Sequence, residues 1–165
     1  MSFANLRHVF VAATVAAVAF SQFTAVHAQE SSAAVQPAPG TYLLDASHTA
    51  LFWSVKHNNI SNYTARFEKV EGKLVLDPEN IEKSIVEVTI DPASVQVAYP
   101  ANYRETHADA KFDTWQEAVS KDPQMLNSTA FPQITFKATS VKRTGDTSAD
   151  VTGDLTFLGV TKPVT

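Results

Sequence analysis

The chain has 165 residues, thirteen basic and seventeen acidic side chains, a formal charge of −4 and no cysteine. The acidic balance argues against a nucleic-acid binder, which needs clustered Lys and Arg to meet phosphate. The missing thiol excludes cysteine catalysis, cysteine-held metal and any disulfide frame, so stability must come from a packed core.

The N-terminus reads as a secretory signal peptide. Arg7 is its positive flank, Val9 to Phe20 an apolar run too short for a comfortable membrane span, and Val26-His27-Ala28 a cleavage site. Cleavage after Ala28 leaves 137 residues, enough for one domain, and removes only Arg7 among the charges, giving −5. No second apolar run reaches membrane-spanning length, so a soluble, exported product is expected, with no transmembrane segment after signal cleavage. Residues 29–40 are rich in Ser, Ala, Gln and Pro and form a flexible spacer; the folded domain occupies 41–165.

Tyr42 to Leu44 is a short strand, and Asp45-Ala46-Ser47 turns the chain into the stretch His48 to His57. There Leu51, Trp53, Val55 and His57 share one face, and Phe52, Ser54 and Lys56 share the other. Aromatics back to back place this strand between two environments, as in the wall of an apolar pocket. Parity alone does not say whether Trp53 or Phe52 faces the pocket. Asn58 to Asn62 is turn chemistry. From Tyr63 to Leu76 the apolar parity switches between Phe67 and Val70, which predicts a bulge or sharp bend near Glu68-Lys69.

Asp77-Pro78 opens what reads as one helical turn with Asp77 as cap. Ser84 to Ile90 alternates cleanly, with Val86, Val88 and Ile90 on one face, and Asp91-Pro92 ends it. Residues 98–130 hold good helix formers with scattered aromatics, which predicts one or two short helices in a long connection. Connections of this length in small domains often serve as a lid or mouth. Strands resume at Ile134 and run to about Val141; a hairpin turn at Arg143 to Asp146 leads to Asp150 to Phe157, and Leu158-Gly159 turns again. Another strand opens before Thr165. Six or seven strands result, antiparallel because the connections are short, so the fold class is all-β with short helices in one long connection.

Five blocks in order carry a family resemblance: Ser47-His48-Thr49 with Trp53 to His57; Ala65-Arg66-Phe67 with Glu71 to Leu74; Ser84 to Asp91; Phe131 to Phe136; and Val151 to Thr156 with Gly159 to Val164. Together they resemble the YceI-like family across 41–165. The resemblance implies an antiparallel, lipocalin-like β-barrel whose apolar lumen holds a polyisoprenoid chain, a prenyl pyrophosphate or a quinone tail. It implies export to the bacterial periplasm, and no enzymatic activity. Two departures stand out. Asp113 to Asn127 is an enlarged, helix-leaning insertion, and family members continue past Lys162-Pro163-Val164-Thr165. An incomplete barrel with exposed sheet edges is therefore expected.

The apolar lining is assigned to Trp53, Val55, Phe67, Val86, Val88, Phe136 and Leu155, although each of these also suits an ordinary core. His48 and His57, at strand ends, and Arg104 and His107, which resemble the family's Arg-x-x-His segment, are assigned to the headgroup. The rival is a metal-dependent hydrolase built on His48, His57 and His107. None of the three sits in an HxH or HxxxH pair, and no Gly-x-Ser-x-Gly elbow or glycine-rich phosphate loop occurs, so neither metal nor cofactor is expected. A protein-interaction module using exposed edges is the third reading. The partner expected is the isoprenoid lipid; the sequence leaves monomer and dimer both open.

Overall fold

The computed structural model describes residues 37–165. The signal peptide at 1–28 and the spacer as far as residue 36 lie outside the described residues. The described residues fold into nine strands: β1 (Gly40–Leu43), β2 (Leu51–His57), β3 (Ser61–Phe67), β4 (Val70–Leu76), β5 (Ile85–Ile90), β6 (Val95–Gln96), β7 (Ile134–Gly145), β8 (Ser148–Phe157) and β9 (Val160–Val164). Two helices, α1 (Tyr103–Thr106) and α2 (Trp115–Lys121), fall inside the long connection, as the residue pattern predicts.

All pairing is antiparallel, in two sheets. One has six strands in the order β1-β4-β5-β7-β8-β9, and the other has three in the order β2-β3-β6. No ladder joins the two sheets among the described residues, so the fold is an open form of the expected barrel.

The count exceeds the predicted six or seven for local reasons. Tyr63 to Leu76 is not one bulged strand. The chain bends at Glu68-Lys69, leaves the small sheet after Phe67 and enters the large one at Val70. Buried Phe67 and Val70 flank the bend, so the parity switch marks a change of sheet. β6 is two residues long, too short to show any period. Asp77 is not a helix cap either: its carboxylate accepts from the Asn80 backbone N–H at 2.9 Å, closing a turn before the single 3-10 turn at Ile81–Lys83. Asp91 does cap, accepting from Ala93 N–H ahead of a 3-10 turn at Pro92–Ser94.

Turn residues set the register. Asn58 and Asn59 have φ of 49° and 60°, the left-handed pair that a tight hairpin between β2 and β3 requires. At the β8–β9 hairpin Leu158 and Gly159 take φ of 50° and 73°. The irregularity in β7 between Ala138 and Ser140 returns Val141 to the face of Phe136, so both lie inward.

The core is tightest where the sheets join. Phe67, Val70, Ile90 and Ile134 are buried there together with Val95, Val119 and Leu126, so β6 and the insertion seal this end. Val95 is fully excluded from solvent, a burial that contributes about 1.5–3 kcal/mol.

Candidate functional site

Away from that join the apolar faces open. Along β5, Ile90 is buried and Val88 and Val86 are half-buried; along β3, Phe67 and Ala65 are buried and Tyr63 is half-buried. Val88 stands beside Phe136, and Phe136 beside Leu155, so three predicted lining residues form one row across β5, β7 and β8. Val86 pairs with Leu74 further toward the open end. A cleft of about 350 Å³ opens there, with Leu74, Leu76, Ile81 and Arg143 in its wall. Two other surface clefts border the insertion and the Lys69–Gln133 region, and none of the three has a predicted lining residue in its wall.

On the small sheet, Leu51 stands beside Phe67, Trp53 beside Ala65 and Val55 beside Tyr63. Leu51, Trp53 and Tyr63 pack on the core, whereas Phe52 points out at 65% exposure. Pairing with β3 therefore resolves what parity left open: Trp53 is inward. Val55, near the open end, is about half exposed.

A feature that no period in the sequence reveals runs from this sheet into the insertion. Trp53 meets Tyr63 edge-on at 6.1 Å, Tyr63 stacks on Tyr99 at 4.8 Å, and Tyr99 stacks on Trp115 at 4.1 Å. Trp115 meets Tyr103 edge-on at 4.8 Å, and Tyr103 stacks on His107 at 4.5 Å. Six rings thus form a continuous ladder. Tyr99, Tyr103 and Trp115 come from the long connection, the last two at the starts of α1 and α2, and no spacing among them signals the ladder. Along the ladder, Trp53 Nε1 and Trp115 Nε1 are buried with no hydrogen-bond partner among the described residues, whereas the buried Tyr63 hydroxyl has the Ala98 backbone and Tyr99 as neighbours. Burial, followed by the neighbouring Tyr99, raises the Tyr63 hydroxyl above the ordinary tyrosine range. It is a neutral donor at any physiological pH.

The four headgroup candidates do not converge. His48 and His57 sit at opposite ends of β2, which spans about 20 Å, and both are exposed. Arg104 and His107 lie together around α1. Arg104 is committed to its own segment: Nε and Nη2 donate to Asp113 Oδ1 at 3.1 and 2.6 Å, and Nη1 donates to the Ala108 and Ala110 carbonyls. His107 stacks in the ladder, with Nδ1 2.9 Å from the Thr106 hydroxyl. Among the described residues no three His, Asp or Glu side chains gather closely enough to hold a metal ion.

Asp45, Ser47 and His48 do cluster, in the exposed turn before β2. Ser47 Oγ and Asp45 Oδ2 both contact the same His48 nitrogen, Nδ1, at 3.1 and 2.7 Å. A serine nucleophile needs the base and its orienting carboxylate on different ring nitrogens, so this is a turn and not a catalytic relay. Hydrogen bonds from Ser47, then His48, hold the Asp45 carboxyl below its ordinary value.

The chain matches the YceI-like domain over residues 42–165. It is 34% identical to Protein YceI of Shigella flexneri over 121 residues, covering 73% of this chain and 56% of that protein. The chain thus spans little more than half the length of that relative. Among solved structures, Burkholderia cenocepacia BcnA is similar with a TM-score of 0.52 and 21% identity, over 73% of this chain and 66% of that one. A mutant of the Campylobacter jejuni YceI protein is similar with a TM-score of 0.50 and 25% identity, over 74% and 64%. A domain match covering most of the chain, carried on two antiparallel sheets, places this protein in the YceI-like family.

Proposed function

We propose that this chain is a non-enzymatic binding protein for a polyisoprenoid lipid, exported to the periplasm by its N-terminal segment. The observation that carries the reading is the half-open apolar face. Val86, Val88, Phe136 and Leu155 on the large sheet and Trp53 on the small one are neither fully buried nor free. A domain that used these side chains only as core would close over them, because each half-buried aliphatic or aromatic forgoes part of its transfer free energy. An extended apolar chain laid between the sheets would complete that burial.

The test is mass spectrometry of the organic extract from protein purified out of its native exported compartment. A prenyl lipid or quinone at about one per chain is the expected result. An empty extract from a sample that remains folded overturns the reading.

A further inference from the structure

Phe52 and Trp53 stand back to back in β2, and the lipid path accounts only for Trp53. Phe52 is 65% exposed on the opposite face of the strand. The ladder with β3 sets Phe52 beside Arg66, Ser54 beside Thr64 and Lys56 beside Asn62. All six side chains point away from the core and are exposed. They form a grid of three rungs, each about 5 Å across, that runs about 13 Å from Phe52 to Lys56.

The grid holds one aromatic ring, two cations and three neutral hydrogen-bonding side chains, and no carboxylate stands on it. Glu68, just beyond its end, accepts from Arg66 Nη2 at 3.2 Å and from Gln96 Nε2 at 3.0 Å, which holds the guanidinium in place. Lys56 has no ion-pair partner among the described residues. In a chain of formal charge −4 this face is therefore locally positive. Two cations, one of them shared with Glu68, are too few for nucleic acid. A single apolar side chain on the grid is too little for the centre of a protein interface, where apolar area dominates. The negative face of a phenyl ring attracts polarised C–H groups. A pyranose offers a flat array of such groups, ringed by hydroxyls that suit Ser, Thr and Asn.

We infer that the outer face of β2 and β3 binds an acidic polysaccharide. One pyranose stacks on Phe52, sugar hydroxyls meet Ser54, Thr64 and Asn62, and a carboxylate meets Lys56. The separation of Phe52 from Lys56 calls for several linked sugars and not one. Because Trp53 faces the other way, sugar and lipid occupy opposite faces of the small sheet, and the inference stands apart from the carrier reading.

The test is calorimetry and amide NMR of the full chain with a mannuronate hexamer, neutral chitohexaose and poly-glutamate. The mannuronate hexamer should bind most tightly, shift the amides of β2 and β3, and weaken as salt rises, because the cations it meets are exposed. Phe52→Ala should cut its affinity about three- to tenfold, the range of a lost aromatic contact, and Phe52→Tyr should keep it. Lys56→Gln should cut it about two- to fivefold, as expected of a surface charge pair, and leave chitohexaose unchanged. Decylbenzene in detergent micelles reports the lipid face and should bind these variants as it binds the parent. Lys142→Gln, at an exposed lysine on β7, is the control and should alter no glycan affinity. Poly-glutamate binding as tightly as the hexamer would mean that the face reads charge alone, and it overturns the inference. So does a folded Phe52→Ala variant that binds the hexamer normally, or amide shifts confined to other strands. Phosphatidylglycerol vesicles that bind the parent but not Phe52→Ala, with no hexamer binding, would give the face to a membrane instead.

Discussion

Gly153 decides where the Phe136 ring can lie. A Cβ at this position would stand 2.4 Å from the Lys137 carbonyl oxygen and 2.5 Å from Phe136 Cζ, inside any tolerable contact. The glycine is therefore a seat for the ring that fills the middle of the large sheet. Gly153→Ala should cost about 1–3 kcal/mol, the usual scale of overpacking, read as a lower urea midpoint with an unchanged slope. A variant as stable as the parent would mean that the ring has room to move. At Asp45 the sign runs the other way. Its carboxyl is held low by Ser47 first and His48 second, so the turn gains stability from the ionised form above the ordinary carboxyl range. That gain is lost as pH falls through the depressed folded value. A carboxyl NMR titration should give a midpoint for Asp45 below 3.8, its unperturbed reference, and Ser47→Ala should move it upward. A midpoint unmoved by Ser47→Ala would remove Ser47 as the main cause.

At the scale of elements, the insertion is the part that sequence reading located but could not build. The two helices of the long connection were legible from their good helix formers; in the structure Asn102 and Thr114 cap them, each side chain accepting from the first turn. The ladder was not legible, since Tyr63, Tyr99 and Trp115 stand far apart in the chain and obey no common period. Arg104 shows the same limit: its spacing from His107 suggested a headgroup site, yet its partners Asp113 and Ala110 lie along a loop whose path no pattern encodes. Arg104→Met keeps the aliphatic stem and removes the fork. Because the pair is solvent-exposed, the global cost should stay below about 1 kcal/mol, whereas amide exchange at Ala110 and Asp113 should quicken as the loop loosens. Unchanged exchange, combined with weaker binding of farnesyl pyrophosphate, would return Arg104 to the headgroup.

For the whole molecule, the alternation in β2 and β5 carried the fold, and the parity switch near Glu68-Lys69 marked where the chain passes from one sheet to the other. What alternation could not supply was the inward side, because a strand with Phe52 and Trp53 back to back is apolar on both faces. The pairing of Leu51 with Phe67 supplies it. This gives a test of the carrier reading with an internal control. Phe136 is half-buried in the inward row beside Val88 and Leu155, while Phe52 is 65% exposed on the opposite face of β2. Both carry the same aromatic area, so truncation to alanine removes equal hydrophobic surface from different places. Phe136→Ala should weaken decylbenzene binding by at least about tenfold, since a lost ring contact in a lipid path is worth about 1.5 kcal/mol or more. Phe52→Ala should leave it within about twofold of the parent. If the two variants lose affinity equally, the lipid does not lie between the sheets; if Phe52→Ala alone loses it, the binding face is the outer one and the inward row is only core.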